Sequence, residues 1–334
     1  MAEGLIVPAW EEASQKAATL DQSLIELCQE PTSARLETVR TKWREARLAL
    51  RRTETFWFGP FAMRRSYSVV DWSPVSPRRI EAMLADRESM TPDDVRFFLS
   101  STQTGFGAIE YVIFRDDSAV VESLSGEDSI TCQYVVSLGG VIAEETAQVL
   151  AEWTEGTDDR PPYVDLFRGT ATVNDHMVDG VASSVRAMTF LVQEIANLKL
   201  GLALGAGGGA ADPTAINDQG GHNSIAEFRA QLEAAQDAYL GPESSEGRRA
   251  GIGSMVAAVS PETDIRVIEA FEKALASLET LREPLRETIQ DDPTAALEAH
   301  ARIDELARIL GTEVVGALGV SLGFSDNDGD TGKR

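Results

Sequence analysis

The residues best placed to do chemistry lie between Thr104 and Phe114, in the stretch TGFGAIEYVIF. It is apolar nearly throughout, yet it carries one carboxylate, Glu110, and two glycines, Gly105 and Gly107. On a helix, positions 107 and 110 share a face, so a ligand-bearing side chain at 107 and the acid at 110 would aim at one point. Glycine has no such side chain. The other candidate metal donors are sparse, for the chain has three histidines, His176, His222 and His300, and no HExxH pair. His300 and Asp304 are four apart on an amphipathic stripe, which reads as a solvent-facing pair. His222 stands just before a helix start, as a surface or capping residue or as one polar wall of a pocket.

Other motifs exclude more than they include. GAGGGA, residues 205–210, follows a helical stretch and lacks a following GK[ST], so it reads as a helix C-cap and connector rather than a phosphate loop. In the tail FSDNDGD, Asp326, Asp328 and Asp330 alternate as in a calcium loop, but the downstream Glu is missing, and a solvated acidic tail is the reading. No GxSxG elbow is present, and neither cysteine has a histidine nearby in sequence, so nucleophilic catalysis has no support.

The elements that must position these residues are helices. In SARLETVRTKWREARLALRRT, Leu36, Val39, Trp43, Ala46 and Leu50 recur at steps of three and four, behind a cap at Thr32 or Ser33. Comparable stripes run through 10–29, 92–114, 129–153, 173–203, 223–240, 262–283 and 293–318, while the alternation and hairpin turns of a sheet protein are missing. The predicted fold is all-α. Four stripes fall on each side of TEGTDDRPPY, which divides the chain into helical bundles at 1–155 and 156–334. The halves also echo one another: a capped, Arg-containing amphipathic stripe precedes Gly59-Pro60 in one and Gly241-Pro242 in the other. An internal duplication is the expectation this raises.

With 334 residues, 43% of them hydrophobic, the chain can bury a large core. Its formal charge of −24, from 54 acids against 30 bases, argues against nucleic acid and anionic membrane surfaces as partners. The basic stretch from Arg35 to Arg52 reads as the solvated face of a helix. Two cysteines, Cys28 and Cys132, are too few for a disulfide framework; two buried thiols are the ordinary reading and one bridge the alternative. MAEGLIVPAW lacks the basic and apolar regions of a signal peptide, and no eighteen-residue apolar run predicts a transmembrane segment.

Taken in order, WREARLALRRTETFWFGP, DWSPVSPRRIEAML, GFGAIEYVIF, LKLGLALG, HNSIAEFRAQLEAAQDAYLG and LGVSLGFSDNDGD resemble the imelysin-like family, peptidase family M75, from about Arg40 to Asp330. The resemblance implies two helical bundles around a shared pocket. It also implies a GxHxxE motif contributing to a metal or active site, in which Gly105 and Glu110 match and Gly107 replaces the histidine. The expected pocket comprises Gly105, Gly107, Glu110, Arg52, Glu54, Trp57, His222, Asn223 and Ser224, with Arg51 or Arg52 as partner of the buried acid. Glu110 is the one metal ligand retained, His222 is the candidate to replace the missing imidazole, and open space above Gly107 is the alternative. The function implied is a periplasmic or envelope protein, in some members a lipoprotein, associated with iron uptake. It would bind iron or another metal, a metal complex or another small ligand, and meet envelope iron-transport partners. A metallopeptidase, the activity behind the family label, and a binder of a metal-free ligand such as a peptide or sugar are the alternatives; the lost histidine weighs against hydrolysis.

Overall fold

The computed structural model describes residues 1–126, 128–173, 177–242 and 250–322. The architecture is all-α, with no strand among the described residues and an isolated bridge between Thr157 and Arg160. His176 and the aspartates of the tail lie outside the described residues.

Three long helices build the first half: α1 (Val7–Gln29), α2 (Ser33–Thr53) and, after several short helices, α7 (Ile130–Thr154). Between α2 and α7 lie α3 (Pro77–Asp86), α4 (Pro92–Phe97), α5 (Gly105–Ile113) and α6 (Asp117–Leu124). Thr32 accepts the Arg35 amide at the start of α2, and Ser129 accepts that of Cys132 at the start of α7; each satisfies an amide the first turn leaves orphaned. The apolar stripes of α1, α2 and α7 meet in one core containing Trp10, Trp43, Leu20, Leu24, Leu138 and Trp153.

Cys28, at the end of α1, and Cys132, at the start of α7, are joined in a disulfide. The ordinary expectation of two free thiols is therefore overturned: the antiparallel packing of α1 on α7 brings the two Cα atoms to 5.6 Å across 104 residues of sequence.

The second half comprises α8 (Gly180–Gln193, running on through a π-helical segment to Leu204), α9 (Ser224–Leu240), α10 (Ile252–Val259), α11 (Pro261–Leu278), α12 (Leu285–Asp291) and α13 (Thr294–Ile309, continued to Leu318). Its core gathers Val185, Ile195, Leu232, Phe271, Ile303 and Val314. Ala238 of α9 apart, the first core extends to Leu166 and the second begins at Val185, and α9 packs on α2 as well as on α8 and α11. By length and composition the helix Gly180–Leu204 is apolar enough to cross a membrane, but half of its most apolar window is buried inside the fold.

Two local outcomes bear on the site. The predicted helix over 92–114 is divided: α4 ends at Phe97, a 3-10 turn spans Ser101–Gln103, and Gly105 opens α5 at φ +78°, where a Cβ would lie 2.4 Å from the Val70 carbonyl oxygen. Helices α3, α6, α10 and α12 are additional to the eight expected stripes: at seven to ten residues each is shorter than the window of about 11–18 residues over which helical periodicity stands out. The glycines after α8 behave as read, Gly205 closing the helix at φ +69°.

Candidate functional site

Helix α5 is held in the core from both ends. The Trp43 indole donates to the Phe106 carbonyl at 3.0 Å, and Arg40 donates to the carbonyls of Ile113 (2.8 Å) and Arg115 (3.0 Å) at the other end. This places Glu110, only 3% exposed, against the loop leading to α9. Its Oε1 accepts the backbone amides of Gln219 (2.8 Å) and Gly221 (3.0 Å). Burial pushes its carboxyl up to about 7, against the downward pull of the Gln219 amide and the Arg47 charge. The partner of the buried acid is thus backbone, and neither Arg51 nor Arg52 supplies it.

The space above Gly107 is closed. A Cβ on Gly107 would stand 2.9 Å from Cγ1 and 3.8 Å from Cγ2 of Val75, with the Asn217 amide nitrogen at 3.9 Å. Valine thus occupies the room expected to be vacated by an imidazole. His222 does not replace that ring either: its Nδ1 lies 3.1 Å from Asp218 Oδ2, and its side chain is 48% exposed on the far side of the loop. Among the described residues no group of three His, Cys, Asp or Glu is disposed to hold a metal ion. The residues at the motif do not fit a metal: one acid remains, one of its oxygens accepts two amides, and its helical partner has no side chain.

Beside this position lies a buried ionic network. Arg47 and Arg51, one turn apart on α2, are 1% and 6% exposed, contrary to the reading of this basic stretch as a solvated face. Arg47 pairs with Asp71 and, at 3.1 Å, with Glu227 of α9. Arg51 pairs with Asp71 (2.7 Å), Glu227 (2.7 Å) and Glu54 (2.9 Å). Glu54 also accepts from Gln231 of α9, and Lys199 of α8 approaches it at 3.9 Å. Burial alone raises Glu227, but Arg47 and Arg51 outweigh it and hold the carboxyl down at about 2. Burial likewise opposes ionisation of Glu54, yet Arg51 and Lys199 keep it below the ordinary range.

The network forms one wall of a cavity of about 630 Å³ between the two halves. Arg51, Glu54, Asp71 and Glu227 line it, with Lys199, Glu194, Asp212 and Arg286 as further charges and Trp57, Val75, Leu202 and Phe228 as apolar surface. The Arg286 guanidinium donates to the Ile216 carbonyl, while its buried Nε has no partner. With eight charged side chains beside its apolar patches, the cavity suits a small polar or charged ligand rather than an apolar one.

Of the residues expected to form the pocket, Glu54, Trp57 and Ser224 line this cavity. Gly105, Gly107 and Glu110 lie behind its wall, where Val75 and Gln219 intervene. Asn223 is buried and makes no side-chain cap; its amide nitrogen has no partner. Arg52 and His222 line a separate cleft. Asp71, Glu194, Lys199, Asp212, Glu227 and Arg286 were not expected at the site. The one available signal for the network was the pair Arg47 and Arg51, four residues apart and hence on one face, beside the apolar stripe of Trp43, Ala46 and Leu50.

Comparisons with known proteins agree along nearly the whole chain. The Imelysin (peptidase M75) family profile matches residues 6–311. The iron-regulated protein A of Synechococcus elongatus is 22% identical over 316 residues, 93% of this chain and 83% of the relative. Two solved structures share the fold. A Parabacteroides distasonis protein named an iron-regulated protein A precursor has a TM-score of 0.78 at 16% identity, over 95% of this chain and 92% of its own. An imelysin-like protein from Psychrobacter arcticum has a TM-score of 0.74 at 18% identity, over 97% and 94%. With the profile spanning nearly all of the helical scaffold that frames the cavity, the chain belongs to the imelysin family, peptidase M75.

Proposed function

We propose that this protein is a ligand-holding component of iron uptake in the cell envelope, and that it binds a small molecule or metal complex in the cavity between its two helical halves. The observation that carries the reading is the network of Arg47, Arg51, Glu54, Asp71 and Glu227, drawn from both halves and set beside open space. Burying charges is costly even when they are paired, and well-packed apolar residues would stabilise the same interface as well or better. Charges retained beside a cavity suit recognition of a polar ligand.

The association with iron rests on relatives named iron-regulated protein A. The envelope location draws support from the disulfide between Cys28 and Cys132, a bond that persists in oxidising compartments and is rare in the cytosol. Holding a ligand, rather than hydrolysing a peptide through a motif-bound metal, follows from Gly107, from Val75 filling the space beside it, and from Glu110 bonding to backbone.

Elemental analysis of the purified protein, followed by calorimetric titration with ferric, ferrous and zinc ions, tests this reading. The expected result is no stoichiometric ion whose binding depends on Glu110, together with no cleavage of casein. A stoichiometric metal lost in Glu110→Ala, or casein cleavage that a chelator abolishes, contradicts it.

A further inference from the structure

We propose that the cleft on the outer face of α9 is a second ligand site, independent of the cavity, which takes a small carboxylate with an apolar body. The two sites use opposite faces of one helix. Ser224, Glu227 and Phe228 line the cavity, whereas Ile225, Ala226, Arg229 and Glu233 line the cleft, as a turn of about 100° per residue dictates.

His222 is the most constrained residue of this cleft. Its φ of +49° is one of only two positive values among the described non-glycine residues, a conformation the surroundings must enforce. Those surroundings are built around Asp218. One of its oxygens accepts the amides of Gly220 (2.7 Å) and His222 (3.2 Å), and the other faces Nδ1 of the ring. Gly220, His222 and the ring hold the buried Asp218 carboxyl below its ordinary range although burial opposes this, so it is ionised and Nδ1 carries the proton. Nε2 then carries the lone pair, so the half-exposed ring, fixed in orientation, offers the ligand its face and leaves the carboxylate to the guanidinium groups.

Two guanidinium groups complete the anion-binding character. Arg229 is half-buried in the cleft and has no ion-pair partner among the described residues, although the chain carries a formal charge of −24. Arg52 has one long contact, 3.4 Å to Glu12, with both side chains 44% exposed. Of the two acids present, Glu283 has its oxygens committed to the amides of Ile225 (2.7 Å) and Leu285 (2.8 Å), which leaves Glu233 as the opposing charge. Leu48, Ile225, Ala230 and Leu281 supply apolar surface within a volume of about 420 Å³. Arginine recognises carboxylates through paired N–H donors, and the aliphatic surface selects an apolar body over a bare inorganic anion.

The experiment is a titration of full-length protein labelled with ¹⁵N-histidine, using benzoate as probe and following the ring resonances of His222. A saturable shift is expected that equal ionic strength of sodium chloride does not produce. Arg229→Gln is expected to weaken binding about tenfold or more, the scale of one lost charge-assisted pair. His222→Asn, which tolerates the left-handed backbone and can still donate to Asp218, is expected to weaken binding without lowering the melting temperature. Ala215 lines the cavity on the other face of α9, so Ala215→Trp, which fills that cavity, leaves benzoate binding unchanged if the two sites are independent. Absence of a saturable shift, equal affinity in Arg229→Gln, equal binding of inorganic phosphate, or loss of binding in Ala215→Trp overturns the proposal.

Discussion

Replacing Glu110 with glutamine separates a structural clamp from a metal ligand, and the size of the effect follows from the structure. In the folded chain the Glu110 carboxyl titrates at about 7 rather than 4.5, because burial outweighs the two amides and Arg47. Between those values the folded chain keeps a proton that the unfolded chain has released, so stability falls as pH rises through this window. Above it the loss is complete. The shift amounts to about 3 kcal/mol, at roughly 1.4 kcal/mol per unit. Glutamine retains a carbonyl oxygen to accept from Gln219 and Gly221 without a charge to desolvate. Glu110→Gln should therefore match wild type near pH 4.5 and exceed it by up to about 3 kcal/mol at pH 8, or by about 5 °C in melting temperature if the whole chain unfolds together. Urea denaturation of both proteins across pH 4.5 to 8 measures the difference directly. A variant that is less stable than wild type at pH 8, or one whose pH dependence parallels it, would refute the reasoning, since the ionised carboxylate would then have a favourable partner.

Further consequences can be checked independently. Glu227 has the opposite sign: its folded value of about 2 means that its contribution is present above pH 4.5 and is lost as pH falls toward 2, and Glu227→Gln should cost several kcal/mol at pH 7 by stranding Arg47 and Arg51, read by denaturant titration. Restoring the family histidine as Gly107→His should destabilise by about 1–3 kcal/mol because its Cβ meets Val75, and Gly107→His with Val75→Ala should recover part of that loss in thermal melts. Cys28→Ser with Cys132→Ser should cost about 2–4 kcal/mol by releasing a loop of 104 residues, and dithiothreitol should lower the wild-type melting temperature but not that of the double variant.

Much of the fold could be read in the sequence because its longest helices bury one stripe each. Leu36, Val39, Trp43, Ala46 and Leu50 specify α2, its cap at Thr32 included, from spacing alone. The break before α5 was not legible, since it depends on Gly105 meeting the carbonyl of Val70, a contact set by tertiary packing. The same limit explains the site. Glu110, Glu54, Trp57 and Ser224 could be singled out from the segments around them. The burial of Arg47 and Arg51 depends on the acids Asp71 and Glu227, twenty or more and more than 170 residues away, and nothing in local periodicity distinguishes a basic residue facing such partners from one facing water. Arg52, adjacent in sequence to Arg51, points to the other cleft for the simple reason that consecutive helical residues diverge by about 100°.

Native mass spectrometry of the protein isolated from iron-limited cells tests the central claim most directly, by asking whether the cavity between the helical halves is where this chain holds its ligand. The account predicts a bound mass on wild type that is absent from Ala215→Trp and retained in Glu110→Gln. An empty cavity in iron-limited and iron-replete cells alike, or a bound mass indifferent to Ala215→Trp, would contradict it.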